Sequence, residues 1–150
     1  MKDTDAAWAA GFFDGEGYVG IARRRNKWLR KKDNTIQEYT AFCLVVKIGQ
    51  VVEEPLIKLQ KLFGGSIAKT ARHKTKTNWH QIRNWEIQGP AAETFLIKVR
   101  PYLIVKAQQA DIALQYRLTV NKGKLDEEKT EAFRILLMSL KKTEKDAANV

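Results

Sequence analysis

The chain has 150 residues, 44% of them hydrophobic, and carries 27 Lys and Arg against 17 Asp and Glu, a formal net charge of +10. That length predicts one domain, residues 1–150, with enough apolar residues for a core, and the charge points to a polyanionic partner. One cysteine and two histidines exclude internal disulfides, a Cys-rich zinc site and a His-based metal cage. The chain offers no apolar run of membrane-spanning length and opens on a polar MKDTDAAW, so we expect a soluble, intracellular protein that does not bind membranes.

Thr4 or Asp5 can cap a first helix of about three turns that ends near Gly15 to Gly17. A strand follows, with Val19 and Ile21 on one face and Tyr18, Gly20, Ala22, Arg24 and Asn26 on the other. The basic stretch RRRNKWLRKKDN leads to a turn at Asp33–Asn34. The next strand sets Phe42, Leu44, Val46 and Ile48 against Ala41, Cys43, Val45 and Lys47.

EEPLIKLQKLFGG reads as a second helix, with Pro55 in its first turn and Gly64–Gly65 as its stop. SIAKTARHK and NWHQIRNWEIQG read as two further strands. PAAETFLIKV is helical up to Pro101, and PYLIVKAQQADIALQYRL is predicted to continue as helix. A last amphipathic helix runs from about Asp126 to Lys142, with Phe133, Leu136, Leu137 and Leu140 on one side.

The order α-β-β-α-β-β-α plus a C-terminal helix predicts an α+β fold. One four-stranded antiparallel sheet would be covered by helices on the Phe42/Leu44/Val46/Ile48 face. The open face would carry Arg24, Asn26, Lys47, Thr70 and Arg72, with Trp28 and Asn84 beside them as further DNA-contact candidates. A twisted sheet with one basic face can lie in a major groove, where base edges are readable.

The stretch AAWAAGFFDGEG carries the sharper signal. On a helical wheel Ala7, Ala10, Gly11 and Asp14 fall on one narrow arc flanked by Phe12 and Phe13. Such a small-residue stripe admits a neighbouring helix to backbone contact. No other helix in the chain matches it, so the expected partner is the same helix in a second copy, giving a twofold homodimer. Glu16 would then meet its mate near the axis, where a divalent cation relieves the repulsion. Mg²⁺ suits one or two carboxylates with backbone or phosphate oxygens. Metal ions there, beside a basic DNA-facing sheet, suit phosphodiester hydrolysis.

AAGFFDGEG resembles the LAGLIDADG motif of homing endonucleases, with Ala9 in place of the leading Leu and Glu16 at the final acidic position. FGG, NWEIQG and PYLIVKAQQA add to the resemblance, which spans roughly residues 6 to 118. It implies a curved sheet, a single-motif homodimer, and metal-dependent double-strand cleavage at a long pseudo-palindromic site in duplex DNA. It also implies no small-molecule cofactor beyond Mg²⁺, for which Mn²⁺ substitutes. By motif position Glu16 would bind the metal, with the Gly15 carbonyl as a second ligand. Gln50 would position active-site water, and Lys106 would sit near the scissile phosphate. Asp14 would be structural at the helix interface. The resemblance further implies an intron-encoded or free-standing protein of bacterial or phage cytoplasm or an organelle matrix. The competing expectation is a non-cleaving binder on the same fold, an intron RNA maturase or a DNA-binding regulator.

Overall fold

The computed structural model describes residues 1–70, 80–121 and 126–148. The elements are α1 (Asp3–Glu16), β1 (Gly17–Arg30), β2 (Thr35–Gln50), α2 (Glu54–Phe63), β3 (Ser66–Lys69), β4 (Arg83–Gln88), α3 (Gly89–Val99), a 3₁₀ turn (Arg100–Tyr102), α4 (Ala107–Asn121) and α5 (Glu127–Ala148). The fold is the expected α+β arrangement: one antiparallel sheet in the order β1-β2-β4-β3 with helices on one face.

Several boundaries differ from the sequence reading. The first helix starts at Asp3, not after Thr4 or Asp5, because Asp5 reaches back to accept the Lys2 backbone N–H at 3.3 Å. The first strand runs on through most of the basic stretch: β1 and β2 stay paired from Gly17↔Ile48 out to Arg30↔Thr35. The Asp33–Asn34 turn stands as expected. Asn34 takes φ 56°, and Asp33 Oδ1 accepts the Thr35 N–H at 3.2 Å and the Thr35 hydroxyl at 2.6 Å. Those bonds hold the Asp33 carboxyl below its ordinary pKa. PYLIVKAQQADIALQYRL is not one helix, since α4 begins only at Ala107. Asp126 caps α5 through Oδ1, which accepts the N–H groups of Glu128 and Lys129. Leu136, expected on the buried side of α5, is exposed, whereas Leu137 is buried.

The core lies between the sheet and the helices. Val19, Ile21, Leu44, Val46, Ile48, Trp85 and Ile87 face inward from the strands, and Phe13, Phe95, Leu96 and Tyr116 meet them from the helices. Phe95 is its hub. Its ring meets Phe13, Phe63 and Trp85 edge-on, at centroid distances of 5.3, 4.9 and 5.4 Å. Such pairs add about 0.5–1.5 kcal/mol each to their area burial. The Trp85 indole donates to the Gly64 carbonyl at 2.8 Å, which fixes the α2–β3 turn. Gly64 and Gly65 take φ of 75° and 92°, and a Cβ on Gly65 would strike Ile87 and the Glu86 carbonyl. Two ion pairs tie α4 to the chain before it: Arg117 to Glu93 at 2.9 Å, and Arg100 to both oxygens of Asp111 at 2.5 and 2.7 Å.

Because one ring joins α1, α2, α3 and β4, Phe95→Ala is expected to cost about 3–5 kcal/mol. Urea unfolding followed by circular dichroism measures this; a loss under 1 kcal/mol would mean that the hub assignment is wrong.

Candidate nucleic-acid interface and metal site

Antiparallel pairing places partnered residues on the same face of the sheet. Arg24↔Ala41, Asn26↔Tyr39, Trp28↔Gln37 and Tyr18↔Lys47 therefore share the face turned away from the core. Glu86 joins them opposite Lys47. Asn84 lies on the same face and donates from Nδ2 to the Thr70 hydroxyl at 2.7 Å. Arg24, Asn26, Trp28, Lys47, Thr70 and Asn84 are thus brought onto one open surface, as the alternation predicts. Arg72 lies outside the described residues.

The face is less purely basic than the sequence suggested. Lys47 Nζ pairs with Glu86 at 2.8 Å, and the Gln88 amide also donates to Glu86. Burial pushes the Glu86 carboxyl up. Hydrogen bonds from Lys47 and Gln88 and the charges of Lys47 and Arg24 outweigh it, and the net pKa lies below the ordinary 4.5. Glu86 escaped sequence reasoning because only the β2–β4 register sets it beside Lys47. Tyr18 gains a role for a similar reason. With Ala22, Arg24, Val45 and Lys47 it lines a shallow hollow, and Lys141 of α5 stands 3.6 Å from its ring centroid.

The second group of residues gathers where α1 ends. No loop separates Glu16, the last residue of α1, from Gly17, the first of β1. Gly17 donates its N–H to the Phe13 carbonyl, and a Cβ there would collide with the Phe13 ring, so the close approach requires glycine. Gly15 and Glu16 are exposed. Gly17 pairs with Ile48, and Gln50 lies two residues further along β2, at the same end of the sheet as Glu16. Gln50 is paired in turn with Arg83, whose guanidinium is bound to Glu53. Lys106 comes from the link before α4, is buried, and donates from Nζ to the Asp14 main-chain carbonyl at 2.5 Å. Glu16 and Gln50 thus lie at one end of the sheet, and Lys106, 90 residues after Glu16 in the chain, reaches the last turn of α1 at that corner through the Asp14 carbonyl.

Two expectations for the small-residue arc need correction. Ala10 is fully buried within the protomer, packed in its core beside Ala9 and Phe13, so it cannot face a partner helix. Asp14 faces its own chain: its carboxylate accepts backbone N–H groups from residues 104 to 106. The open stripe on α1 is Ala7, Gly11 and Gly15, spaced by four.

Among the described residues no group of three or more His, Cys, Asp and Glu side chains could hold a metal ion. The donors at this corner are one exposed carboxylate and the carbonyls of a helix C-terminus, where the helix dipole is negative. That set of hard oxygens fits Mg²⁺, which keeps waters and takes one or two carboxylates together with phosphate oxygens. No helix among the described residues is long and apolar enough to cross a membrane.

Compared with known proteins, the chain matches no protein-family model and no curated protein sequence. Solved structures do resemble it. The homing endonuclease I-CvuI, bound to its target in the presence of Ca²⁺, superposes with a TM-score of 0.64 at 22% identity, over 92% of this chain and 82% of that one. A second complex of I-CvuI was formed with Mg²⁺, and there the DNA is not cleaved. The archaeal intron-encoded homing endonuclease I-Vdi141I, complexed with DNA, gives 0.68 at 16% identity, over 93% and 86%. The LAGLIDADG homing endonuclease I-SmaMI, bound to cleaved DNA, gives 0.61 at 18% identity, over 88% of this chain and 42% of that one. The fold is that of the LAGLIDADG homing endonucleases, as AAGFFDGEG led us to expect.

The Lys47–Glu86 pair yields a stability prediction. A depressed folded pKa contributes stability above the unfolded value, and this is lost as pH falls through the folded pKa. Glu86→Gln is expected to cost about 1 kcal/mol or less at neutral pH, since the pair is partly exposed, and nothing well below pH 4.5. Urea melts at the two pH values test this, and an equal cost at both would contradict it.

Proposed function

We propose that the chain is a homodimeric, divalent-metal-dependent endonuclease of the LAGLIDADG class that cuts both strands of a long pseudo-palindromic DNA site. The observation that supports this reading is the corner at the exit of α1, where Glu16 is exposed at the sheet end that carries Gln50 and Lys106 reaches back to the Asp14 carbonyl, beside an open face bearing Arg24 and Lys47. A pure binder has no need of that corner.

The sheet supplies the grip. Arg24 and Lys47 suit phosphate or guanine, Asn26 and Asn84 suit adenine edges, and Trp28 offers an apolar surface to thymine methyl groups. Bound Mg²⁺ would polarise the scissile phosphate and activate water. Glu16 and the Gly15 carbonyl would hold it; Mn²⁺ offers the same coordination chemistry. Gln50 orients the attacking water through its amide. Lys106 brings a cation to the place where negative charge develops on the phosphate.

The dimer rests on glycines without a use inside the protomer. A Cβ on Gly11 or Gly15 would meet nothing within 4 Å, yet glycine inside a helix costs about 1 kcal/mol relative to alanine. A second copy of α1 packed against the Ala7/Gly11/Gly15 stripe gives that cost a purpose. Ile104 and Val105, 87% and 55% exposed beside Asp14, extend the stripe as apolar surface. The chain spans 42% of I-SmaMI, so a second copy would supply a comparable further length.

Gly11→Leu is expected to turn the dimer into monomer with the protomer still folded, because the added side chain meets open space within it. Sedimentation at micromolar concentration decides: an unmodified protein that is monomeric there overturns the dimer. Glu16→Gln is expected to reduce cleavage by orders of magnitude in Mg²⁺ while binding in Ca²⁺ persists. Near-normal cutting by this variant would remove the metal assignment. An unmodified protein that binds its site tightly but never cuts in Mg²⁺ or Mn²⁺ would be a regulator or maturase instead.

A further inference from the structure

The first acid of the AAGFFDGEG stretch has a use of its own. Residues 103 to 106 form a non-helical link between the 3₁₀ turn and α4, and lie outside both helices and the sheet. Asp14 supplies partners for three consecutive amides of this link. Its Oδ2 accepts the Ile104 N–H at 2.7 Å and the Val105 N–H at 3.3 Å, and its Oδ1 accepts the Lys106 N–H at 2.9 Å. Bonds to an ionised carboxylate are about twice as strong as neutral ones. Leu103 and Lys106 are buried at the two ends of the link, whereas Ile104 and Val105 between them turn their apolar side chains outward and are held through their amides.

The grip is returned by the side chain. Lys106 Nζ reaches back to the Asp14 main-chain carbonyl at 2.5 Å and lies 6.0 Å from the Phe13 ring centroid, with the residue 8% exposed. The ammonium thus sits at the C-terminal end of α1, where the helix dipole favours a cation, and its chain of four methylenes is already ordered. A side chain fixed before the substrate arrives gives up little freedom at the reaction.

We infer that Asp14 is a positioning residue: its carboxylate clamps the 104–106 backbone so that the Lys106 ammonium is held on the last turn of α1, at the Asp14 carbonyl two residues before Glu16. The inference deepens the endonuclease reading and rests on it for the role of Lys106. It places Asp14 neither on a metal ion nor on the partner helix.

A double-mutant cycle on the full-length protein tests this, with Asp14→Asn, Lys106→Met and the pair compared in single-turnover cleavage of the target duplex in Mg²⁺. Asp14→Asn keeps the size but sets an NH₂ group against the amides. It is expected to slow cleavage by about 100-fold with DNA affinity in Ca²⁺ nearly unchanged, the scale on which a misplaced group fails. In the Lys106→Met background the same change should cost almost nothing more, because residues that act as a unit are not additive. Independent, multiplying effects would overturn the inference. The second readout needs no cleavage. Acetic anhydride labelling of the free protein, read by mass spectrometry, should find Lys106 protected in the unmodified chain. In Asp14→Asn it should become as reactive as exposed Lys61 and Lys98, with the other lysines unchanged. Equal protection of Lys106 in both proteins would also overturn it. If the unmodified protein does not cut, the endonuclease reading falls while the labelling still decides where Asp14 holds Lys106. Should Asp14→Asn fail to fold, Asp14→Ser, whose hydroxyl accepts one amide, serves in both measurements.

Discussion

The junction between Glu16 and Gly17 is the constraint on which the rest of the molecule depends. A helix ends and an edge strand starts with no residue between them, and Phe13 lies so close to Gly17 that no side chain fits. The same Phe13 ring meets Phe95, so the core that stabilises the protomer also fixes the direction in which α1 delivers Glu16. Packing energy and site geometry are therefore not separable here. A change that loosens the aromatic cluster loosens the carboxylate as well.

From that junction the sheet divides the labour by face. Val19, Ile21, Leu44, Val46 and Ile48 are drawn inward by burial, which forces Arg24, Asn26 and Lys47 outward in the same register. The open face is a mixed polar surface, with Glu86 set against Lys47 and Thr70 against Asn84. Such internal pairing lowers the net positive charge of the face and holds its side chains in fixed positions. The long β1–β2 hairpin, paired out to Arg30↔Thr35, carries this surface far from the junction.

Much of this was legible in the chain because it is written in local periodicity. The alternation through Phe42–Ile48 gave β2 its two faces, and the Pro55 and Gly64–Gly65 signals bounded α2. Asp33–Asn34 marked the turn. What escaped depends on contacts distant in sequence. Helical propensity around PYLIVKAQQA gave no hint that residues 103 to 106 stand outside the helix, where a carboxylate 90 to 92 residues earlier holds the amides of residues 104 to 106. Ala10 looked equivalent to Ala7 and Gly11 on a helical wheel, which cannot tell which edge of an arc the sheet will cover. Arg83 and Glu53 meet beside Gln50 only once β4 is laid along β2. The roles of Glu16, Gln50 and Lys106 come from a resemblance; that Gln50 lies at the sheet end where α1 delivers Glu16, and that Lys106 reaches α1 at Asp14, are properties of the fold, and what the three do there is the proposal.

The most direct measurement is of the unmodified protein with a library of long duplexes, with and without Mg²⁺, followed by sequencing of the ends produced. The account predicts ends from both strands at one recurring site whose halves are related by approximate twofold symmetry, and none without the metal. Tight, sequence-specific retention of duplexes in Ca²⁺ with no new ends in Mg²⁺ or Mn²⁺ would contradict it.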